Sequence, residues 1–139
     1  PTATYTPSPT YEVVLNLAPP VSQVSARPGA AVLINAVDDA ISTNRTPIQP
    51  RDVFAAGVRR LYFFISYRQM NDGVVWSRVL YRDDVPVQGQ AYLWSLGEQG
   101  DSYFFFGNDS GYEPGRYEVR LNIGDREVNR IAFVVQASQ

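Results

Sequence analysis

From Arg116 to Ile123 the chain reads RYEVRLNI, and its side chains alternate without a break. Tyr117, Val119, Leu121 and Ile123 fall on one face; Glu118, Arg120 and Asn122 fall on the other. A helix buries residues at spacings of three and four, so a period of two specifies a strand with one covered face and one wet face. Gly124-Asp125 then turns the chain, and Val128 with Ile131 to Val135 forms the last strand. Between Arg126 and Arg130 the alternation slips, which predicts a β-bulge.

Similar stretches recur upstream. Tyr11 to Leu17 reads as a first strand stopped by Pro19-Pro20, and Ala30 to Val37 as a short buried strand. Val21 to Arg27 carries no decisive pattern, and Asp38 to Asp52 reads as a long polar loop. Arg59 to Arg68 has two apolar faces, with Leu61, Phe63, Ile65 and Tyr67 against Tyr62 and Phe64. Asn71-Asp72-Gly73 is a hairpin signal that predicts Val74 to Arg82 as the partner strand, closed by Asp83-Asp84. Gln90 to Leu96 and Ser102 to Gly107 are shorter strands around the Gly97–Gly100 loop. The expectation is an all-β, immunoglobulin-like two-sheet sandwich of seven to nine antiparallel strands. Trp76, leaving the Asn-Asp-Gly turn, belongs to its core.

With 139 residues the chain suits one domain, assigned to 11–139. Residues 1–10, PTATYTPSPT, form a Thr/Pro-rich extended segment: a linker, or an arm that docks on a neighbouring subunit with Tyr5 as its anchor. The chain begins at Pro1 rather than Met, which reads as a processed product or an excised segment. No apolar run is long enough to cross a membrane, so no membrane insertion is expected within this chain. A net charge of −2 gives no electrostatic grip on nucleic acid.

Pro114-Gly115-Arg116-Tyr117 resembles the tyrosine corner of immunoglobulin-like sandwiches, in which a Tyr hydroxyl bonds upstream backbone and Gly115 supplies unusual backbone geometry. Phe54-Ala55-Ala56-Gly57, Asn71-Asp72-Gly73 before Trp76, Tyr81-Arg82-Asp83 and Trp94 before a Gly-rich turn extend the likeness. Over residues 30 to 135 the chain resembles bacterial extracellular immunoglobulin-like modules, including those of Chloroflexota-like filamentous phototrophs, which carry Thr/Pro linkers. That resemblance implies a fold and an extracellular or cell-surface setting, but no activity. Trp76, Gly115 and Tyr117 are its fold-determining residues.

The chain has no Cys and no His, and all twelve basic residues are Arg. A Ser or Cys nucleophile therefore lacks its usual partners, and no disulfide or thiolate metal site exists. Asp38-Asp39, Asp83-Asp84 and Glu98 with Asp101 sit where Asp shapes turns. The oxygen-rich loop Asn108 to Glu113 lacks the spacing of calcium loops. No catalytic, metal or cofactor residue is assigned, and no cofactor is expected. The sequons at Asn44 and Asn108 read as chance matches.

Aromatics remain: nine Tyr, seven Phe and two Trp. Tyr62, Phe64, Trp94, Tyr103, Phe105 and Tyr112 have two readings: filling of the core between the sheets, or an exposed strip facing a protein partner or a sugar. The expected role is a non-catalytic extracellular structural or interaction module, such as the repeating subunit of a surface assembly or filament, partnered by protein that includes copies of itself. The alternatives are an accessory sensor or targeting domain of an envelope kinase or protease, and a carbohydrate-binding module.

Overall fold

The computed structural model describes residues 14–16, as backbone, and 20–137. Pro1 to Thr10, with Tyr5, lie outside the described residues, as do Tyr11 to Val13.

Nine strands and no helix occur among the described residues: β1 (Val14–Asn16), β2 (Ala31–Asp38), β3 (Val53–Ala55), β4 (Arg60–Arg68), β5 (Val75–Arg82), β6 (Val85–Leu93), β7 (Gly100–Gly107), β8 (Gly115–Ile123) and β9 (Arg126–Gln136). They form a two-sheet β-sandwich. One sheet has the order β1-β6-β5-β8-β9-β3 and the other β2-β4-β7. With β4 beside β7 in one layer and β5-β8-β9 in the other, the chain crosses between the layers. Two pairings depart from the antiparallel expectation: β1 runs parallel to β6, and β3 parallel to β9. Each of these edge strands is only three residues long, which limits the edge it offers to other chains.

The Asn71-Asp72-Gly73 signal misassigns a partner. Gly73 has the left-handed φ of 92° that the turn needs, but β4 and β5 lie in different sheets. Leu61, Phe63 and Ile65 of β4 and Trp76 and Leu80 of β5 all point into the core, so the two strands face each other across it instead of pairing. The tight hairpin is β5–β6, closed by Asp83 and Asp84 with φ of 50° and 68°. Both residues are left-handed, as a two-residue type I′ turn requires.

The β8–β9 register slips between Leu121 and Asn122, leaving Val128 as the extra residue on β9. This is the bulge implied by the broken alternation. At the corner, the Tyr117 hydroxyl donates to the Glu113 carbonyl at 2.7 Å, and its ring stacks on Phe133 at 5.3 Å. Gly115 is not left-handed, contrary to expectation. Its small size serves packing: a Cβ there would stand 2.8 Å from Arg82 Nε. The left-handed glycine of this corner is Gly111, at φ 87°, whose missing Cβ lets Gly57 approach closely.

The two sides of the sandwich are sealed differently. On one side Asn129 of β9 reaches across to accept from the Ile34 amide of β2 at 2.9 Å. On the other, β7 has no strand neighbour beyond β4 among the described residues.

Candidate functional site

Alternation along β4 and β7 turns Tyr62, Phe64, Tyr103 and Phe105 to the outside of the three-stranded sheet, with Tyr62 opposite Phe105 and Phe64 opposite Tyr103. The rings form one cluster, at 5.8 Å between Tyr62 and Phe105, 6.0 Å between Tyr62 and Tyr103 and 6.2 Å between Phe64 and Tyr103. Phe105 is 46% exposed, with the Arg60 guanidinium 4.9 Å from its ring centre. Tyr62 and Tyr103 are half-buried. Phe64 points outward yet is buried, because the Asn44–Pro47 segment folds back beside it and leaves a cleft of about 470 Å³.

That covering loop hangs from Asp38. The carboxylate is buried and accepts from the amides of Asp39, Ala40, Ile48 and Gln49, and from Arg51 at 3.1 Å. Burial alone would raise its pKa. The amides of Gln49, Ile48, Asp39 and Ala40 outweigh that and hold it below the ordinary aspartate value. Arg51 also pairs with Asp39 at 2.8 Å and lies over Phe54.

The other candidate strip residues lie inside. Trp94 is 1% exposed, wedged against Tyr67 and Trp76 at 4.8 and 5.1 Å, with its indole N–H donating to the Gly97 carbonyl at 2.8 Å. Tyr112 is buried beside Tyr117, and its hydroxyl donates to Gln88 at 2.6 Å. Burial and the neighbouring Tyr117 raise the Tyr112 pKa, against the opposing Gln88 bond. These two assignments to the surface are therefore corrected: Trp94 follows the end of β6, where alternation no longer dictates direction, and Tyr112 fills the core beneath the tyrosine corner. Trp76 is a buried residue between the sheets, against Trp94 and Phe104.

Sequence reasoning passed over Arg78. It follows Trp76 by two residues and shares its inward face, so its guanidinium enters the mouth of the sandwich between β6 and β7. There it lies 4.5 Å from the ring centre of Tyr92, 4.7 Å from Phe104 and 5.5 Å from Trp76. Its Nη2 donates to the Tyr92 hydroxyl at 3.0 Å, and Tyr92 in turn donates to Gln90. No carboxylate among the described residues pairs with it. Burial depresses its pKa, partly offset by Tyr92, though a guanidinium stays charged. The group opens on a cleft of about 210 Å³ that Ser95, Leu96 and Ser102 also line. A charge at an inward position of an alternating strand was the available signal.

The outer face of the six-stranded sheet is unlike the aromatic one. Arg120 pairs with Glu118 and, at 3.8 Å, with Asp84, while lying 4.0 Å over Tyr81. Arg130 joins Glu118 at 3.4 Å and Glu127 at 2.7 Å. Beside this network a cleft of about 440 Å³ is bounded by Asp83, Asp84, Glu118 and Arg116, so both signs of charge face it.

Two of the candidate acids hold local structure, while Asp101 lines the cleft beside Tyr103. Asp83 accepts from the Arg116 amide at 3.2 Å, and Glu98 pairs with Arg27 at 2.6 Å. Asn108 accepts from the Ser110 amide, and its Nδ2, the acceptor atom of that sequon, is buried. Among the described residues no three acids gather as a metal site. No helix among them is long and apolar enough to cross a membrane. The chain matches no model of a known protein family and no curated protein.

Proposed function

We propose that this chain is a non-catalytic interaction module of the cell exterior, working as a structural subunit that contacts protein through the outer face of its three-stranded sheet. One observation carries the reading: Tyr62, Tyr103 and Phe105 form an aromatic cluster on a sheet face, flanked by Arg60 and beside a cleft. Tyr and Phe supply large contact area with little side-chain entropy to lose, and aromatic residues are enriched where proteins meet. The first partner to test is a second copy of the chain, as in a surface assembly. The Thr/Pro-rich residues 1–10 suit such a module as a spacer or arm.

The test is sedimentation velocity over a concentration series. Wild type is expected to self-associate, and the Tyr62→Ser/Phe105→Ser double variant to remain monomeric at the same thermal stability. Monomeric wild type up to high concentration, or association indifferent to the double variant, counts against the proposal. Saturable binding of neutral oligosaccharides lost in that variant would favour a carbohydrate-binding module instead.

A further inference from the structure

Two features meet at the open side of the sandwich. The first is the edge of β7. The Asn108 amide donates to the Arg59 carbonyl at 2.9 Å, which sets the alternation of the ladder: even-numbered residues of β7 bond β4. Tyr103 and Phe105 therefore turn their N–H and C=O groups to the open side. Among the described residues that row is occupied only at the end, where Gln88 Nε2 donates to the Gly107 carbonyl at 2.8 Å. Asp101 is the one charge on β7; Ser102 to Gly107 carries no charge and no proline, so this stretch lacks the devices that normally protect an edge. The second feature is Arg78, a cation at the same opening with no carboxylate partner among the described residues.

Resting on the reading of the chain as an interaction module, we propose that β7 accepts an added β-strand from a partner, and that this strand carries an Asp or Glu whose side chain enters the cleft and pairs with Arg78. The geometry follows from sheet spacing. A strand added to β7 lies roughly 4.8 Å beyond it, and its inward side chains stand level with those of Ser102 and Phe104. Arg78 already lies 4.7 Å from the Phe104 ring, so an inward carboxylate beside Phe104 falls within its reach. Backbone bonds to Tyr103 and Phe105 give affinity without sequence preference; the half-buried cation selects the acidic residue. A Gln in its place leaves the guanidinium desolvated and unpaired.

Calorimetric titration with two synthetic heptapeptides tests this, Thr-Val-Thr-Glu-Thr-Val-Thr and the same peptide with Gln for Glu. The Glu peptide should bind wild type about tenfold or more tightly than the Gln peptide, as expected for a charge-assisted pair. Arg78→Met should abolish that preference, and Arg78→Lys should keep part of it. Phe105→Pro removes one free-edge amide without touching the β4 ladder and should weaken both peptides alike. Equal binding of the two peptides to wild type, no binding of either, or binding unaffected by Phe105→Pro overturns the proposal. So does free glucuronate binding as tightly as the Glu peptide, which would make the cleft a sugar-acid site. The wild-type peptide comparison holds even if Arg78→Met fails to fold. Self-association that survives Arg78→Met but is lost in Tyr62→Ser/Phe105→Ser would retain the interaction reading and remove the Arg78 cleft from it.

Discussion

The two sheets share one core but present different outer faces. Over the six-stranded sheet, Arg120, Glu118, Arg130 and Glu127 form a charge network with Tyr81 beneath it. Over the three-stranded sheet, Tyr62, Tyr103 and Phe105 stand without a covering charge network, flanked by Arg60. Their edges differ too. The larger sheet ends in three-residue strands, β1 and β3, whereas the smaller ends in the eight-residue β7. Surface ion pairs contribute little to stability but keep a face hydrated and unattractive to apolar partners. An aromatic face without such a network, flanked by Arg60, has a different character. Solvation is thus divided between the faces, which is why contact is proposed for the smaller sheet.

The largest effect should strike both faces at once. Tyr117→Ala opens a cavity against Phe133 and Tyr112 and should cost about 3 kcal/mol or more, measured by urea unfolding. Both faces should then melt in one transition. Separate transitions would mean that the sheets do not share a core.

Asp38→Ala should fall on one side only. Removing the carboxylate leaves the amides of Asp39, Ala40, Ile48 and Gln49 without their acceptor and should cost about 2–3 kcal/mol. Hydrogen exchange should rise through Asp38 to Asp52 and around Phe64, with Arg116 to Ile123 unchanged. Because the folded-state pKa of Asp38 lies below the ordinary 3.8, its stabilisation is complete above that value and disappears as pH falls through the folded-state value. Wild type should therefore lose more stability than Asp38→Asn on acidification below that point. Parallel losses would remove Asp38 from its place as the anchor of the loop.

Smaller effects sharpen the contrast. Tyr117→Phe deletes one hydrogen bond to Glu113 and should cost about 1 kcal/mol by the same unfolding assay. Arg120→Ala, on the charged face, should cost less than about 1 kcal/mol and leave self-association unchanged in sedimentation. A large change in association from that variant would move the contact surface to the other sheet.

Strand character was legible because alternation is local. RYEVRLNI and the slip at Val128 show it, and so does the outward direction of Tyr62 and Phe105. Pairing was not legible in the same way. Asn71-Asp72-Gly73 encodes a reversal, but whether two strands then pair or face each other depends on where their apolar sides find cover. Here both point inward from opposite layers. The hairpin at Asp83-Asp84 went unrecognised because two aspartates in left-handed backbone are an uncommon choice for a type I′ turn. Burial beyond the strand ends was equally hidden. Trp94 turns inward after β6, Tyr112 fills the corner, and Phe64 is covered by a loop whose anchor, Asp38, looked like a turn residue. Arg78 was visible as an inward charge, but its isolation from carboxylates emerges only when the two layers are brought together.

The assignment of contact to the smaller sheet is tested most directly by hydroxyl-radical footprinting of the chain at dilute and at associating concentrations. The aromatic side chains Tyr62, Tyr103 and Phe105 should lose reactivity together on association, while Tyr81, under Arg120, keeps its own. Protection of Tyr81 with Tyr62, Tyr103 and Phe105 unchanged would contradict the account and place contact on the charged face.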